Sequence, residues 1–77
     1  MNIGEKIVEI FSEALVVTKE TCTPEADLFN DLGVDDIDLI EVLMEIEERF
    51  GVYIPDAELG KIKTVGDIVK LVEAKTA

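Results

Sequence analysis

The sequence is poor in the side chains that most often perform chemistry. Its 77 residues contain no histidine and no tryptophan, one cysteine (Cys22) and one serine (Ser12). Without histidine the chain cannot assemble a Ser-His-Asp triad or a Cys-His pair. It also lacks the set of Cys and His ligands that a structural zinc site requires. We therefore expect neither an acyl-transfer enzyme of these types nor a zinc protein.

Long apolar runs are also absent. No stretch approaches the roughly 20 apolar residues needed to span a bilayer, and no segment resembles a signal peptide. The lone Cys22 cannot form an internal disulfide. Together these features predict a soluble protein of a reducing compartment, which we take to be the cytoplasm.

Basic residues are scarce. The sequence has seven Lys and Arg and 18 Asp and Glu, which gives a formal net charge of -11. Such a charge repels nucleic acid phosphates and anionic lipids, whereas it attracts basic protein surfaces. We therefore expect protein partners with basic patches, no nucleic acid and no membrane partner, and a monomer.

What the chain does have is a large supply of aliphatic side chains. Hydrophobic residues make up 48% of the sequence, which fits one folded domain over residues 1–77 rather than a disordered acidic tail. A chain this short buries only about 60% of its unfolded surface, so it has no room for a deep cleft. Its many carboxylates are predicted at solvated helix positions, which disfavours a perturbed acid/base pair. The sequence therefore predicts a protein that is not an enzyme.

Apolar residues recur at spacings of three and four, and no segment alternates as a strand would. This pattern predicts helices over Asn2–Val17, Asp36–Phe50 and Val65–Ala74, and a short third helix over Asp56–Leu59. The polar segment 18–30 is predicted to be an ordered loop that lies across the core. The fold class is therefore all-α, a four-helix bundle of three main helices plus a short one.

Local signals define the ends of the helices and the buried face. Asp36 is predicted to cap the second helix and Gly51 to end it, while Thr64 and Asp67 resemble a capping box before the last helix. The buried stripe of the second helix is predicted as Ile37, Ile40, Leu43, Met44, Ile46 and Phe50. Phe11, Leu32, Ile62, Ile68 and Leu71 complete the predicted core.

The acidity raises the question of calcium. No register that starts at Asp27, Asp31 or Asp36 places oxygen ligands at the positions that an EF-hand loop requires. We expect no metal site. A small metal-buffering protein stays as a further hypothesis, which a defined stoichiometry of bound calcium would support.

The most informative segment is DLGVDDIDLIEV (31–42), followed by EIEERFG (45–51) and IPD (54–56). It resembles the acyl carrier proteins, whose motif is Asp-Leu-Gly-x-Asp-Ser-Leu/Ile-Asp/Glu. The later KTVGD (63–67) resembles the segment that leads into their last helix. The resemblance covers nearly the whole chain. It implies a bundle of the acyl-carrier type, which presents acyl groups to the enzymes of fatty acid biosynthesis or related lipid metabolism and is not itself a catalyst.

The resemblance makes Asp36 the attachment position. In the family a serine at this point carries 4'-phosphopantetheine, whose thiol holds the acyl chain. A carboxylate cannot replace that hydroxyl, because it would form a labile acyl phosphate instead of a phosphodiester. We therefore expect no prosthetic group on this chain.

Two origins of Asp36 stay open. It can be an installed Ser→Asp change in a carrier. It can also mark a natural homologue that has lost its attachment residue and serves as a protein-interaction or regulatory module. Asp36 is also a suitable helix-capping residue, an interpretation that is compatible with both origins.

The family resemblance also implies a docking surface. In the family the second helix is recognised by basic patches on acyl-processing enzymes and on phosphopantetheinyl transferase. The docking residues implied in this chain are Asp35, Asp38, Glu41, Met44, Glu47, Glu48, Ile54 and Asp56. For Met44 and Ile54 the alternative is burial in the core, and for the acids it is a solvated face that only aids solubility.

Overall fold

Three α-helices and two 3-10 helices build the fold. The computed structural model describes residues 2–76. In chain order the elements are α1 (Ile3–Ala14), a first 3-10 helix (Lys19–Thr21), α2 (Asp36–Phe50), a second 3-10 helix (Asp56–Lys61) and α3 (Val65–Thr76). Among the described residues the only strand-like pairing is an isolated antiparallel bridge between Asp27 and Thr64. The all-α prediction is confirmed, and the second 3-10 helix is the predicted short third helix.

The helix α1 ends earlier than predicted, at Ala14 instead of Val17. Leu15 takes an extended conformation, with φ -126° and ψ 162°, although its N–H still donates to the Phe11 carbonyl. Two consecutive β-branched residues follow, and such residues lose side-chain freedom in a helix. In the extended segment Leu15 and Val17 pack against the core while Val16 is fully exposed. Both inward-facing side chains are therefore buried without a further helical turn.

The bounds of α2 agree with the prediction, but its N-cap does not. Asp35 is the capping residue, and its Oδ1 accepts a hydrogen bond from the Asp38 N–H at 2.8 Å. Asp36 is the first helical residue. The pattern of adjacent aspartates left the cap ambiguous by one position, and Asp35 is the residue with the extended backbone that a cap requires. Gly51 ends the helix as predicted, with a left-handed φ of 65° that favours glycine.

The predicted capping box of α3 is present. The Asp67 N–H donates to Thr64 Oγ1 at 3.1 Å, and Asp67 Oδ2 accepts from the Thr64 N–H at 3.1 Å. Asp67 also accepts from the Lys63 N–H at 2.9 Å. These hydrogen bonds, first from Lys63 and then from Thr64, lower the pKa of the Asp67 carboxyl. The helix runs to Thr76, beyond the predicted end at Ala74.

The long loop between α1 and α2 lies across the core, as predicted. Its residues Cys22, Ala26, Leu28 and Val34 are buried. The Leu28 N–H donates to the Lys63 carbonyl at 2.9 Å, and five further backbone bonds tie the segment 24–34 to itself and to the start of α3. The loop also contains the first 3-10 helix, which the polar sequence of that segment did not predict.

The core is formed by α1, α2, α3 and the loop, but the predicted buried face of α2 is partly wrong. Ile37, Ile40 and Met44 are 69%, 49% and 59% exposed. The residues of α2 that are buried are Leu39, Val42, Leu43 and Ile46. Of the other predicted core residues, Phe11, Ile62 and Ile68 are buried, whereas Leu32, Phe50 and Leu71 are only partly buried at its edge.

The error in α2 has a physical cause. At about 100° per residue, two apolar stripes run along opposite sides of the helix, one through 39, 42, 43 and 46 and the other through 37, 40 and 44. A helix at the surface of a small bundle buries only one side. The spacing alone does not indicate which stripe that is.

Candidate functional site: the exposed face of α2

The exposed side of α2 presents large apolar side chains to solvent. Ile37, Ile40 and Met44 form this stripe, and Tyr53, just after the helix, is 73% exposed. A shallow hollow lined by Met44, Val52, Tyr53 and two glutamates continues the stripe beyond the helix. We call Ile37, Ile40, Met44 and Tyr53 the apolar stripe. Apolar patches of this kind on a small protein indicate a contact surface for another molecule.

Carboxylates surround the apolar stripe. Helical geometry places Glu41 and Glu48 along one edge of the apolar stripe, and both residues are exposed. Asp36 is exposed at the N-terminal end of the helix, and Asp56 is exposed at the start of the second 3-10 helix. The surface therefore combines an apolar centre with negative charge, which is complementary to a basic surface with apolar side chains at its centre.

The one cation of α2 is already paired. Arg49 Nε lies 2.8 Å from Glu45 Oε2, and Arg49 Nη2 lies 3.1 Å from Glu13 Oε1 on α1. The hydrogen bonds to these two carboxylates, mainly the one to Glu45, raise the pKa of Arg49 above its ordinary value. Among residues 2–76 no ion pair involves Glu41 or Glu48. The negative charge of the exposed face is therefore not neutralised within the described part of the chain.

Three predicted docking residues have structural roles. Ile54 is only 6% exposed and belongs to the core, so the expectation of an exposed apolar side chain there is wrong. The half-buried Glu47 accepts a hydrogen bond from the Ile54 N–H at 2.8 Å through its Oε2. That bond satisfies a backbone donor in the turn after α2, which is why Ile54 is held inward. Asp35 is likewise occupied as the N-cap of α2.

Of the remaining predicted docking residues, Glu41, Met44 and Glu48 lie on or beside the exposed face, whereas Asp38 lies on another side of α2 and Asp56 belongs to the second 3-10 helix. Glu41, Met44, Glu48 and Asp56 are exposed, and Asp38 is half-buried. Sequence reasoning missed Ile37, Ile40 and Tyr53 as surface residues. The two apolar stripes of α2 were the available signal for the isoleucines, since one of the stripes had to face solvent.

Asp36 projects from the first turn of α2. It is exposed, and among residues 2–76 its carboxylate accepts no hydrogen bond and makes no ion pair. A negative charge at a helix N-terminus is favoured by the helix dipole. The position is therefore accessible to a partner, and its carboxylate contributes to folding through the helix dipole and not through a specific contact among the described residues.

Within residues 2–76, no three His, Cys, Asp or Glu side chains converge where they could hold a metal ion. No helix in this range is long and apolar enough to cross a membrane.

Comparisons with known proteins agree on one family. Residues 5–72 match the family described as "Phosphopantetheine attachment site". The chain is 48% identical over 74 residues to the acyl carrier protein of Thermotoga maritima, which covers 96% of this chain and 91% of that protein. It is 43% identical over 75 residues to the acyl carrier protein of Syntrophus aciditrophicus, covering 97% and 94%.

A solved structure leads to the same conclusion. The acyl carrier protein of Enterococcus faecalis superimposes with a TM-score of 0.79 at 29% identity, over 95% of this chain and 92% of that one. The chain belongs to the acyl carrier protein family, whose usual role is in fatty acid biosynthesis. Its members are carriers and not enzymes, so the predictions of the family, the fold and the absence of catalysis are confirmed.

Proposed function

We propose that this chain has the docking surface of an acyl carrier protein but lacks the residue to which the prosthetic group is attached. It docks on basic surfaces of acyl-processing enzymes through the exposed face of α2, and it carries no 4'-phosphopantetheine because Asp36 stands where the family has its serine. The observation that carries the docking part is the apolar stripe with the exposed Glu41 and Glu48 along its edge. Negative charge of this kind raises the rate of association with a basic surface, and the apolar stripe provides the contact once the two surfaces meet.

The side chain at position 36 does not fit the prosthetic group. The scaffold around it is intact, because Asp36 begins α2 and is exposed to an approaching enzyme. What is missing is the hydroxyl, since a carboxylate would give an acyl phosphate that water cleaves readily. The incompatibility therefore lies in one functional group and not in the fold.

A second function follows from the same surface. A homologue that docks without a thiol occupies the enzyme's carrier site and delivers nothing, so it acts as an interaction or regulatory module. In this alternative the carboxylate of Asp36, which is exposed and makes no hydrogen bond or ion pair among the described residues, is available to contact a partner. Expected partners are acyl-processing enzymes and phosphopantetheinyl transferase. The cytoplasm and a monomeric state stay predictions from composition.

The attachment proposal is tested by intact mass. The chain and its Asp36→Ser variant are each incubated with coenzyme A and a broad-specificity phosphopantetheinyl transferase. We expect only the serine variant to gain one phosphopantetheine. A gain on the unchanged chain would refute the attachment part of the proposal, and no gain on either would show that this surface is not recognised by that enzyme.

The docking proposal is tested separately, by binding of the unmodified chain to the same transferase. Ile40→Ser and the double variant Glu41→Gln, Glu48→Gln should each weaken binding by about five- to thirtyfold, the range for moderately important interface residues. The matched control is Glu20→Gln with Glu25→Gln, which removes the same charge from exposed positions outside α2. Equal weakening by the control would mean that net charge, and not the face of α2, governs binding.

A further inference from the structure

The shallow hollow at the C-terminal end of α2 has a mixed lining. Its apolar walls are the side chains of Met44, Val52 and Tyr53, and the two acids Glu47 and Glu48 complete it. Met44 and Tyr53 are exposed, whereas Val52 is partly buried and packs against the core. The hollow therefore brings an aromatic ring, aliphatic walls and carboxylates together at one place on the surface.

The backbone on both sides of Tyr53 is fixed. The Val52 N–H donates to the Glu47 carbonyl at 3.3 Å, and the Ile54 N–H donates to Glu47 Oε2 at 2.8 Å. The side chain of Ile54 is buried, so it anchors the chain in the core just beyond Tyr53. A backbone that is already ordered costs little further entropy when a ligand binds beside it. Tyr53 is thus presented to solvent from a segment that is organised before a partner arrives.

The negative charge of the hollow determines what kind of side chain can fill it. Glu48 is exposed and makes no ion pair among residues 2–76, while one oxygen of Glu47 accepts from the Ile54 N–H. An apolar occupant would cover the Glu48 carboxylate and leave it without a partner, which costs free energy. A cation on an apolar stem satisfies both the carboxylate and the aliphatic walls. The hollow is therefore complementary to a basic side chain.

The ring of Tyr53 distinguishes between the two long basic side chains. Arginine carries a planar guanidinium that is weakly hydrated, stacks on aromatic rings and forms two parallel hydrogen bonds with a carboxylate. The ammonium of lysine is compact and strongly hydrated, and it makes both contacts less well. We propose that this hollow binds an arginine side chain of the partner protein, with its guanidinium against the ring of Tyr53 and hydrogen-bonded to Glu48. This assignment rests on the proposed docking function of α2, and it names the side chain that the partner inserts.

The experiment compares two helical probe peptides that differ only in their basic residues. Both peptides carry leucine along one side, and every charged position is arginine in one peptide and lysine in the other. The affinity of each peptide for the full chain is measured by calorimetry at physiological salt. We expect the arginine peptide to bind about three- to tenfold more tightly than the lysine peptide.

Variants of Tyr53 locate this preference in the hollow. Tyr53→Leu keeps an apolar side chain but removes the ring, so the ratio of the two affinities should fall by about two- to fivefold, the range for an exposed cation–π contact. Tyr53→Phe keeps the ring and should keep the ratio. The matched control is Phe29→Leu, which removes a partly exposed ring from the loop between α1 and α2 and should also leave the ratio unchanged.

The outcomes separate the arginine assignment from the docking function. An affinity ratio that stays the same in Tyr53→Leu, or that falls equally in Phe29→Leu, would overturn the assignment. Equal binding of the two peptides to the unchanged chain, or no binding of the arginine peptide, would overturn it as well. A loss of transferase affinity in Ile40→Ser would still support docking through α2 in each of these cases, so the two proposals fail separately.

Discussion

Gly66 shows how a single residue position fixes the approach of two segments. Its N–H donates to the Pro24 carbonyl at 2.9 Å, and a Cβ at this position would lie 2.8 Å from the same oxygen. Gly66→Ala must therefore displace a backbone carbonyl that also anchors the loop. We expect a net loss of about 1–2 kcal/mol in the free energy of unfolding, since the better helix propensity of alanine offsets only part of the cost.

The measurement for Gly66→Ala is the urea midpoint, with Gly60→Ala as the matched control. A Cβ at Gly60 meets no atom within 4 Å, so that variant should unfold close to the unchanged chain. If the two variants unfolded at the same urea concentration, the close approach at Gly66 would not be a constraint on the fold.

Glu47 is a residue whose role changes between sequence and structure. As an acid on α2 it was predicted to dock, but its Oε2 holds the Ile54 N–H at 2.8 Å. Glu47→Ala leaves that part-buried donor unsatisfied, so we expect a loss of about 1–3 kcal/mol in the free energy of unfolding. Glu48→Ala, one residue along and exposed, should change stability by less than about 0.5 kcal/mol. Chemical denaturation of the two variants separates the structural carboxylate from the free one, and equal stability would contradict the assignment.

At the scale of elements, the sequence determined the helices better than their faces. Caps and glycines are local signals, so the end of α2 at Gly51 and the Thr64–Asp67 box followed from the residue types, although the N-cap of α2 was predicted one position too late. The choice between the two apolar stripes of α2 depends on how α1, α3 and the loop pack against it, which is not a local property. For this reason Ile37 and Ile40 were placed in the core although they form the candidate site. Likewise, the hydrogen bond from the Ile54 N–H to the Glu47 carboxylate joins the turn to the last part of α2, and no local signal indicates it.

The capping box of α3 predicts a pH dependence. The hydrogen bonds from Lys63 and Thr64 lower the pKa of Asp67 in the folded state. A lowered pKa means that the carboxylate contributes stability above its unfolded-state pKa, and that this contribution is lost as the pH falls through the folded-state value. Asp67→Asn should therefore be less stable than the unchanged chain at neutral pH, and the difference should shrink as the pH falls below about 4.

The measurement for Asp67 is the free energy of unfolding of both proteins across this pH range. Asp56→Asn is the control, because the Asp56 carboxylate accepts no hydrogen bond among the described residues. The difference in the free energy of unfolding between Asp56→Asn and the unchanged chain should show no comparable change with pH. A difference between Asp67→Asn and the unchanged chain that stayed constant down to acid pH would mean that the cap does not depend on charge.

At the scale of the whole molecule, docking and stability oppose each other. A net charge of -11 on a chain of 77 residues repels itself in the compact state and more strongly at low salt. The exposed carboxylates of Glu41 and Glu48 add to this repulsion and make no compensating ion pair among residues 2–76. The docking proposal assigns their benefit to contact with a partner.

This opposition gives a prediction in which one variant moves two properties in opposite directions. Glu41→Gln with Glu48→Gln should raise the thermal midpoint at low salt by a few degrees, because about 0.5–1 kcal/mol of repulsion is removed from a domain of this size. This gain in thermal midpoint should shrink as salt is added, because salt screens the same repulsion that the substitutions remove. The same variant should bind the transferase more weakly than the unchanged chain at low salt. That difference in affinity should also narrow as salt is added. Thermal melts and binding at two salt concentrations measure both. A variant that gained stability without losing affinity would indicate that the acidic face serves solubility alone, which is the role that composition by itself would assign to it.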